Sequence, residues 1–232
     1  MSLIHRCCVC RLHVLLLVVL MAAGVVNAQD YSSAGTSEVI STADRLLQRG
    51  DYKGAIPALR EVIRRTGELT DPQLVETCQT CRYQLARAYY QTDNLPAGME
   101  VLEDYLKREP RKMEKNALRM LAQGFFEAQE WVEIEKLANR LLSLPDLEPE
   151  DLFNANLLLG QALYQQEKWA DSVGPLSYAA NNTEDERIKP RCEIMIVRSL
   201  VESENWPELF AWIPRIYRTD SKYDISLNLT LM

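Results

Sequence analysis

A short polar turn followed by an aromatic residue or a leucine recurs five times at nearly constant spacing, and this recurrence restricts the fold more than any other feature of the chain. The turns are Arg49-Gly50-Asp51, Thr92-Asp93-Asn94, Ala128-Gln129-Glu130, Gln166-Glu167-Lys168 and Ser203-Glu204-Asn205. The residues that follow them, Tyr52, Leu95, Trp131, Trp169 and Trp206, lie 43, 36, 38 and 37 residues apart. Nine residues before each marker stands Ala43, Ala86, Ala122, Gly160 or Val197, and three residues after it stands Ala55, Gly98, Ile134, Ser172 or Leu209. Where these are small, two helices can approach closely across the turn. The aromatic is expected to wedge between neighbouring hairpins. A helical hairpin cannot bury both of its faces alone, so each unit needs a neighbour on either side.

The stretch Cys81 to Pro110 shows the unit most clearly. Leu85, Ala86 and Tyr89 share one face of a first helix, and Gly98, Leu102, Tyr105 and Leu106 share one face of a second. Pro96 falls in the first turn of the second helix, where a missing N–H costs least, and Pro110 ends it. Asp71-Pro72 reads as an N-cap and first-turn pair, which starts the preceding helix about two turns early. From Glu38 the apolar period is helical almost to the end, and no alternation is long enough for a sheet. A non-repetitive helical bundle is the alternative, and it leaves the recurring marker unexplained.

These units resemble the tetratricopeptide repeat over about 36–223. Copies one and two carry the resemblance best, through Ala43, Gly50, Tyr52, Ala55 and Leu59, then Leu85, Ala86, Tyr89, Gly98, Leu102 and Pro110. Copies three and four keep Ala122 or Gly160 and the tryptophan after the turn. Copy five departs most, with Val197, Leu209 and a Pro214 expected to kink its second helix. The resemblance is to the exported bacterial members. It implies an all-α fold, a right-handed α-α superhelix or solenoid of about five helical hairpins. It also implies a binding scaffold whose first helices line a concave groove for extended or helical peptides. Carried onto this sequence, the inward places include Tyr83, Arg87, Tyr90, Arg119, Gln123, Phe126, Asn154, Gln161, Tyr164 and Arg198. Arginine and tyrosine dominate binding hot spots, and amides can pair with a peptide backbone. Chaperone-binding members hold a terminal carboxylate with a basic clamp that begins in the first repeat. The first copy here offers Ile40 and Asp44, which do not support that ligand.

The first 28 residues differ from the rest. Arg6 and Arg11 precede an uncharged apolar run, Val14 to Val26, and Val26-Asn27-Ala28 fits a cleavage site before Gln29. The run is short for a membrane span, which needs about 20 residues. We read 1–28 as a signal peptide, with an uncleaved anchor as the alternative, and 29–37 as a flexible leader with a helix N-cap at Thr36 or Ser37. The repeat domain is 38–223, and 224–232 is an apolar tail or the start of a further element. Cleavage would remove both histidines, His5 and His13, and leave 24 basic residues against 33 acidic ones, a charge of −9. That balance argues against nucleic acid or a membrane as partner, and a chain without histidine has no histidine-based hydrolytic or metal site. Localisation is expected in the periplasm or cell envelope.

Cys78-Gln79-Thr80-Cys81 is the sharpest local motif. Cys78, Cys81 and Leu85 lie on one helical stripe, which favours small buried hydrophobes. A disulfide between Cys78 and Cys81, or a thiol redox or metal function, stays open as an alternative. The carboxylate groups Glu133 with Glu135, Glu148 with Glu150 and Asp151, and Glu184 to Glu186 are expected in polar turns or on solvated faces. The expectation is therefore a non-enzymatic scaffold in a cell-envelope assembly, with no cofactor and no metal. Its partner would be a protein or peptide with acidic side chains, and Arg87, Arg119 and Arg198 would pair with them. Self-association through the apolar C-terminal end is a further option, as is a purely structural segment of a longer solenoid.

Overall fold

The computed structural model describes residues 31–218. The signal peptide and the apolar tail of the sequence reading lie outside the described residues. Among the described residues there are ten helices and no strand. They are α1 (Thr36–Gln48), α2 (Tyr52–Thr66), α3 (Pro72–Gln91), α4 (Leu95–Leu106), α5 (Glu114–Glu127), α6 (Trp131–Leu142), α7 (Pro149–Gln165), α8 (Trp169–Asn181), α9 (Ile188–Glu202) and α10 (Trp206–Arg218). The fold is all-α and built from helical repeats, as the recurrence implies. None of the helices of the described residues is long and apolar enough to cross a membrane.

Each of the five markers is the first residue of a second helix. The residue two places before it has a left-handed backbone in every copy: Gly50 (φ 74°), Asp93 (56°), Gln129 (59°), Glu167 (59°) and Glu204 (54°). The N–H just before the marker donates to a carbonyl five residues back. These bonds are Asp51 to Leu46, Asn94 to Tyr89, Glu130 to Phe125, Lys168 to Leu163 and Asn205 to Leu200, each 2.9 Å long. A second bond joins the left-handed residue to the carbonyl three places back, as in Glu167 to Tyr164 at 3.0 Å. This pair of bonds is the Schellman closure, which satisfies carbonyls that a helix end would otherwise leave bare. Only the first copy uses glycine there. The other four hold side chains in a conformation that disfavours them.

The chain divides into two compact units within α4, after Val101. In the first, Val39, Ala43, Ala55, Ala58, Leu59, Val62, Cys81, Leu85 and Ala88 form a buried core. Asp71 caps α3, its carboxylate accepting from the Gln73 and Leu74 backbone N–H groups at 3.0 and 3.1 Å, so the early start of this helix is as expected. Gly98 is buried against the Tyr90 ring, which leaves no room for a side chain. In the second unit, Val173, Leu176, Met195, Ile196, Leu200 and Trp212 belong to one core, and Ala138 packs with Leu159 and Leu163. The small residues before and after the turns, from Ala43 to Val197 and from Ala55 to Leu209, are all buried.

Two expectations about the N-terminal side are corrected. The leader is not a free tail from Tyr31 onward. Tyr31 is buried, and the Arg65 guanidinium donates to the carbonyls of Tyr31 (2.6 Å) and Ala34 (2.7 Å). The N-cap of α1 is Gly35, with no side-chain cap, and Thr36 and Ser37 lie inside the helix. α10 runs from Trp206 to Arg218 across Pro214.

Candidate functional site

In the first unit, three of the expected groove residues lie on α3. Tyr83 is buried. Tyr90 is half-buried with its ring against Gly98, so it closes the α3–α4 hairpin. Arg87 is half-buried and donates to Gln84 Oε1 at 2.9 Å. This face is therefore largely committed to packing.

The other seven residues lie on the first helices of the second unit: Arg119, Gln123 and Phe126 on α5, Asn154, Gln161 and Tyr164 on α7, and Arg198 on α9. Gln123 is exposed, Asn154 and Gln161 are half-buried, and Phe126 is 36% exposed. Phe126 meets Trp131 edge to face at 5.4 Å, and Tyr164 meets Trp169 in the same way at 5.2 Å. The pairing repeats because each ring ends a first helix and each tryptophan begins the next. The Schellman turn then brings the two rings together.

Arg119 is held within the chain. It donates to Asn116 Oδ1 at 2.7 Å and lies 3.4 Å from the Asp151 carboxylate. Asp151 is also bound by Lys115 at 2.8 Å and accepts from the Glu148 backbone N–H at 3.2 Å. It is 4% exposed, so the solvated turn expected for it is corrected. The Lys115 ammonium beside it holds its carboxyl below the usual aspartate range, helped by the Glu148 N–H and the charges of Lys115 and Arg119. Neither Lys115 nor Asp151 was legible as a pair in the sequence, where they stand 36 residues apart. The one local signal was the capping box of α7, which joins Glu148 to Asp151.

Arg198 is different. Its guanidinium stands 5.8 Å from the Tyr164 ring centre and 5.5 Å from that of Trp169. Nη1 donates to the Tyr164 hydroxyl at 3.3 Å. The nearest carboxylate, Glu202, lies 3.9 Å from Nε, beyond hydrogen-bond reach. Among the described residues, Arg198 Nε is the buried side-chain nitrogen or oxygen that has no hydrogen-bond partner. The side chain as a whole is 42% exposed, so apart from the buried Nε and the Nη1 bond to Tyr164 the guanidinium still offers N–H donors to a carboxylate. Trp169 was read from the sequence as a wedge alone, and it is also a wall of this cluster.

The cysteine motif lies in the core of α3. Cys78 and Cys81 are both free and buried, so the disulfide alternative is corrected. Arg82, itself buried, donates to Cys78 Sγ and to Gln79 Oε1, each at 3.0 Å. Burial, then the neighbouring Cys78 and Asp44, pushes the Cys81 thiol up to about 12, and burial pushes Cys192 to about 11. A thiolate is the reactive form, and neither environment supplies one. Among the described residues no cluster of His, Cys, Asp or Glu could hold a metal ion. Trp212, unassigned by the sequence, is a buried core residue.

The sequence profile described as a tetratricopeptide repeat matches residues 46–124. No curated protein matches the sequence. Solved structures of MamA are similar in fold. The AMB-1 protein is 17% identical, with 84% of this chain and 96% of that one covered at a TM-score of 0.56. The MSR-1 protein is 16% identical, with 80% and 96% covered and a TM-score of 0.52. The RS-1 double mutant is 17% identical, with 80% and 96% covered and a TM-score of 0.52. At such identities the likeness concerns the fold. A tetratricopeptide repeat is recognised by sequence over 46–124, and the turn geometry of that stretch recurs as far as the start of α10.

Proposed function

We propose that the chain is an exported scaffold for protein–protein interaction, and that the face of α5, α7 and α9 takes a partner segment bearing carboxylates. The observation that carries this reading is Arg198, a cation set against two aromatic rings with, among the described residues, Glu202 at 3.9 Å and no carboxylate within hydrogen-bond distance. Gln161 and Asn154, half-buried on α7, offer amides to the backbone of a bound segment. Arg119 contributes less than the sequence implied, because Asp151 already neutralises it. The reading is of a binding protein without catalysis, supported by the burial of all three thiols of the described residues and by the lack of histidine after residue 28. Export to the envelope rests on the leader alone, with its basic start, apolar run and Val26-Asn27-Ala28.

The test is selection of displayed random peptides on the full chain and on Arg198→Gln. The parent is expected to enrich peptides containing Asp or Glu, and the variant to lose that enrichment while keeping its helical circular dichroism. Equal acidic enrichment by both proteins would refute the site.

A further inference from the structure

Three second helices of the second unit, α6, α8 and α10, have the same three places on the face toward the next hairpin. Among the described residues, the first two places of the last set are exposed, while its third, Ile213, packs on the core. These places are Trp131, Glu135 and Ala138 on α6, Trp169, Val173 and Leu176 on α8, and Trp206, Phe210 and Ile213 on α10. On α6 they meet the next first helix and its turn. Ala138 packs with Leu159 and Leu163 of α7, and the Gln166 amide donates to Trp131 O (3.3 Å) and Glu135 (2.8 Å). Lys168 pairs with Glu135 at 2.6 Å. On α8, Val173 and Leu176 share a core with Ile196 and Leu200 of α9. Ser172 and Ser199 hydroxyls meet at 2.8 Å, and the Arg198 guanidinium stands over Trp169. The covering helix thus brings apolar residues at i and i+4 in both cases. A cation stands over the opening tryptophan at α8, from Arg198 of α9, whereas at α6 the cation is Lys168 of the turn after α7, on Glu135.

On α10, Trp206 is 48% exposed and Phe210 is 67% exposed, whereas Val173, which matches Phe210, is 6% exposed. Leaving two such aromatics in water forfeits the burial that their counterparts obtain. Glu204 and Glu208, which flank Trp206, are exposed as well. We infer that the outer face of α10 is a docking surface for one amphipathic helix of a partner protein, apolar at i and i+4 and basic where it meets Trp206. The interior interfaces of this same chain define the shape of the occupant, and the exposed glutamates define its charge. The surface lies on the second-helix side, so it is separate from the carboxylate-binding face and does not rest on that reading.

The probe is a synthetic peptide with the sequence of residues 187–205 and Cys192→Ser, which carries the Ile196 and Leu200 stripe and Arg198. Hydrogen exchange of the full chain is measured with and without it. The peptide is expected to slow exchange across 206–214. Phe210→Asp in the chain, or Leu200→Asp in the peptide, is expected to weaken it by about tenfold or more. Both changes fall on exposed or peptide positions, and Trp206→Gln serves as a second variant. Absence of protection on α10, or protection indifferent to Phe210→Asp, would overturn the proposal. So would protection already present in the chain alone. Protection rising with chain concentration would assign the face to a second copy, and protection lost on removing 219–232 would assign it to the chain's own C-terminal residues.

Discussion

Two helices of the second unit approach closely at Gly160, and this sets up a substitution whose sign runs against helix propensity. Gly160 lies inside α7, where alanine in an open position would gain about 1 kcal/mol over glycine. A Cβ built there falls 2.7 Å from Leu176 Cγ, 2.8 Å from Cδ2 and 3.0 Å from the Leu176 backbone N. Carbon atoms at rest stand about 3.5–4.0 Å apart, so the shortfall is near 1 Å. Leu176 is fully buried, and neither its Cγ nor its N can swing aside as a chain end could. Relief requires either a strained rotamer or separation of α7 from α8. Overpacking of this kind costs about 1–3 kcal/mol, and two immovable contacts favour the upper part of that range. Gly160→Ala is therefore expected to lose about 1–2 kcal/mol net. Leu176→Ala alone is expected to lose about 2–5 kcal/mol through the cavity it opens. In the double variant the new methyl enters that cavity, so the combined loss should fall short of the sum by about 1–3 kcal/mol. Urea unfolding of the parent, both single variants and the double variant gives the cycle. A Gly160→Ala protein as stable as the parent, or a cycle additive within about 0.5 kcal/mol, would show that the hairpin does not close on this glycine.

The left-handed residues of the turns give a pair of changes with opposite signs. Gly50→Ala should cost about 1 kcal/mol, while Glu167→Gly should gain about 0.5 kcal/mol, since it relieves the left-handed strain but frees the unfolded chain. Thermal unfolding shifts in the same direction for both would contradict the turn geometry. Asp151 supplies a pH dependence. Its folded pKa lies below 3.8, chiefly through the Lys115 hydrogen bond, so its stabilisation is complete above that value and fades as pH falls through the lower folded one. Asp151→Asn should cost about 2 kcal/mol near neutrality, by the loss of charge-assisted bonds. That deficit should shrink in acid, and a deficit constant down to strongly acidic pH would mean that the carboxylate charge contributes nothing.

Legibility followed the range of the interaction that each feature depends on. The Asp71 cap, the turn positions and the first residues of the second helices were all readable, because each is fixed by residues within one turn of helix. The buried stripe Cys78, Cys81 and Leu85 was readable for the same reason, since 3.6-residue periodicity places all three on one side. The α1 cap failed within that range, where Gly35 took the place expected of Thr36 or Ser37. The leader failed for another reason. A polar segment of small residues looks unanchored until Arg65 reaches it from 34 residues away. Trp206 was read as a wedge like Trp131 and Trp169, yet a wedge needs a following helix, and among the described residues none covers it.

The sequence by itself determined the all-α class, the phase of the five units and the small residues at which their helices meet. Those features rest on backbone conformation, side-chain volume and periodicity, which are local properties of a chain. The tertiary structure alone decided which of the candidate binding residues are available. It buried Tyr83, set Tyr90 against Gly98, tied Arg119 to Asp151 at 3.4 Å, and set Arg198 against two rings with Glu202 only at the 3.9 Å edge of an ion pair. The physical reason is that a charge is spent or free according to what lies within about 4 Å of it. In a stack of hairpins those neighbours come from the adjoining unit, more than 30 residues away, as Asp151 does for Lys115 and Tyr164 for Arg198.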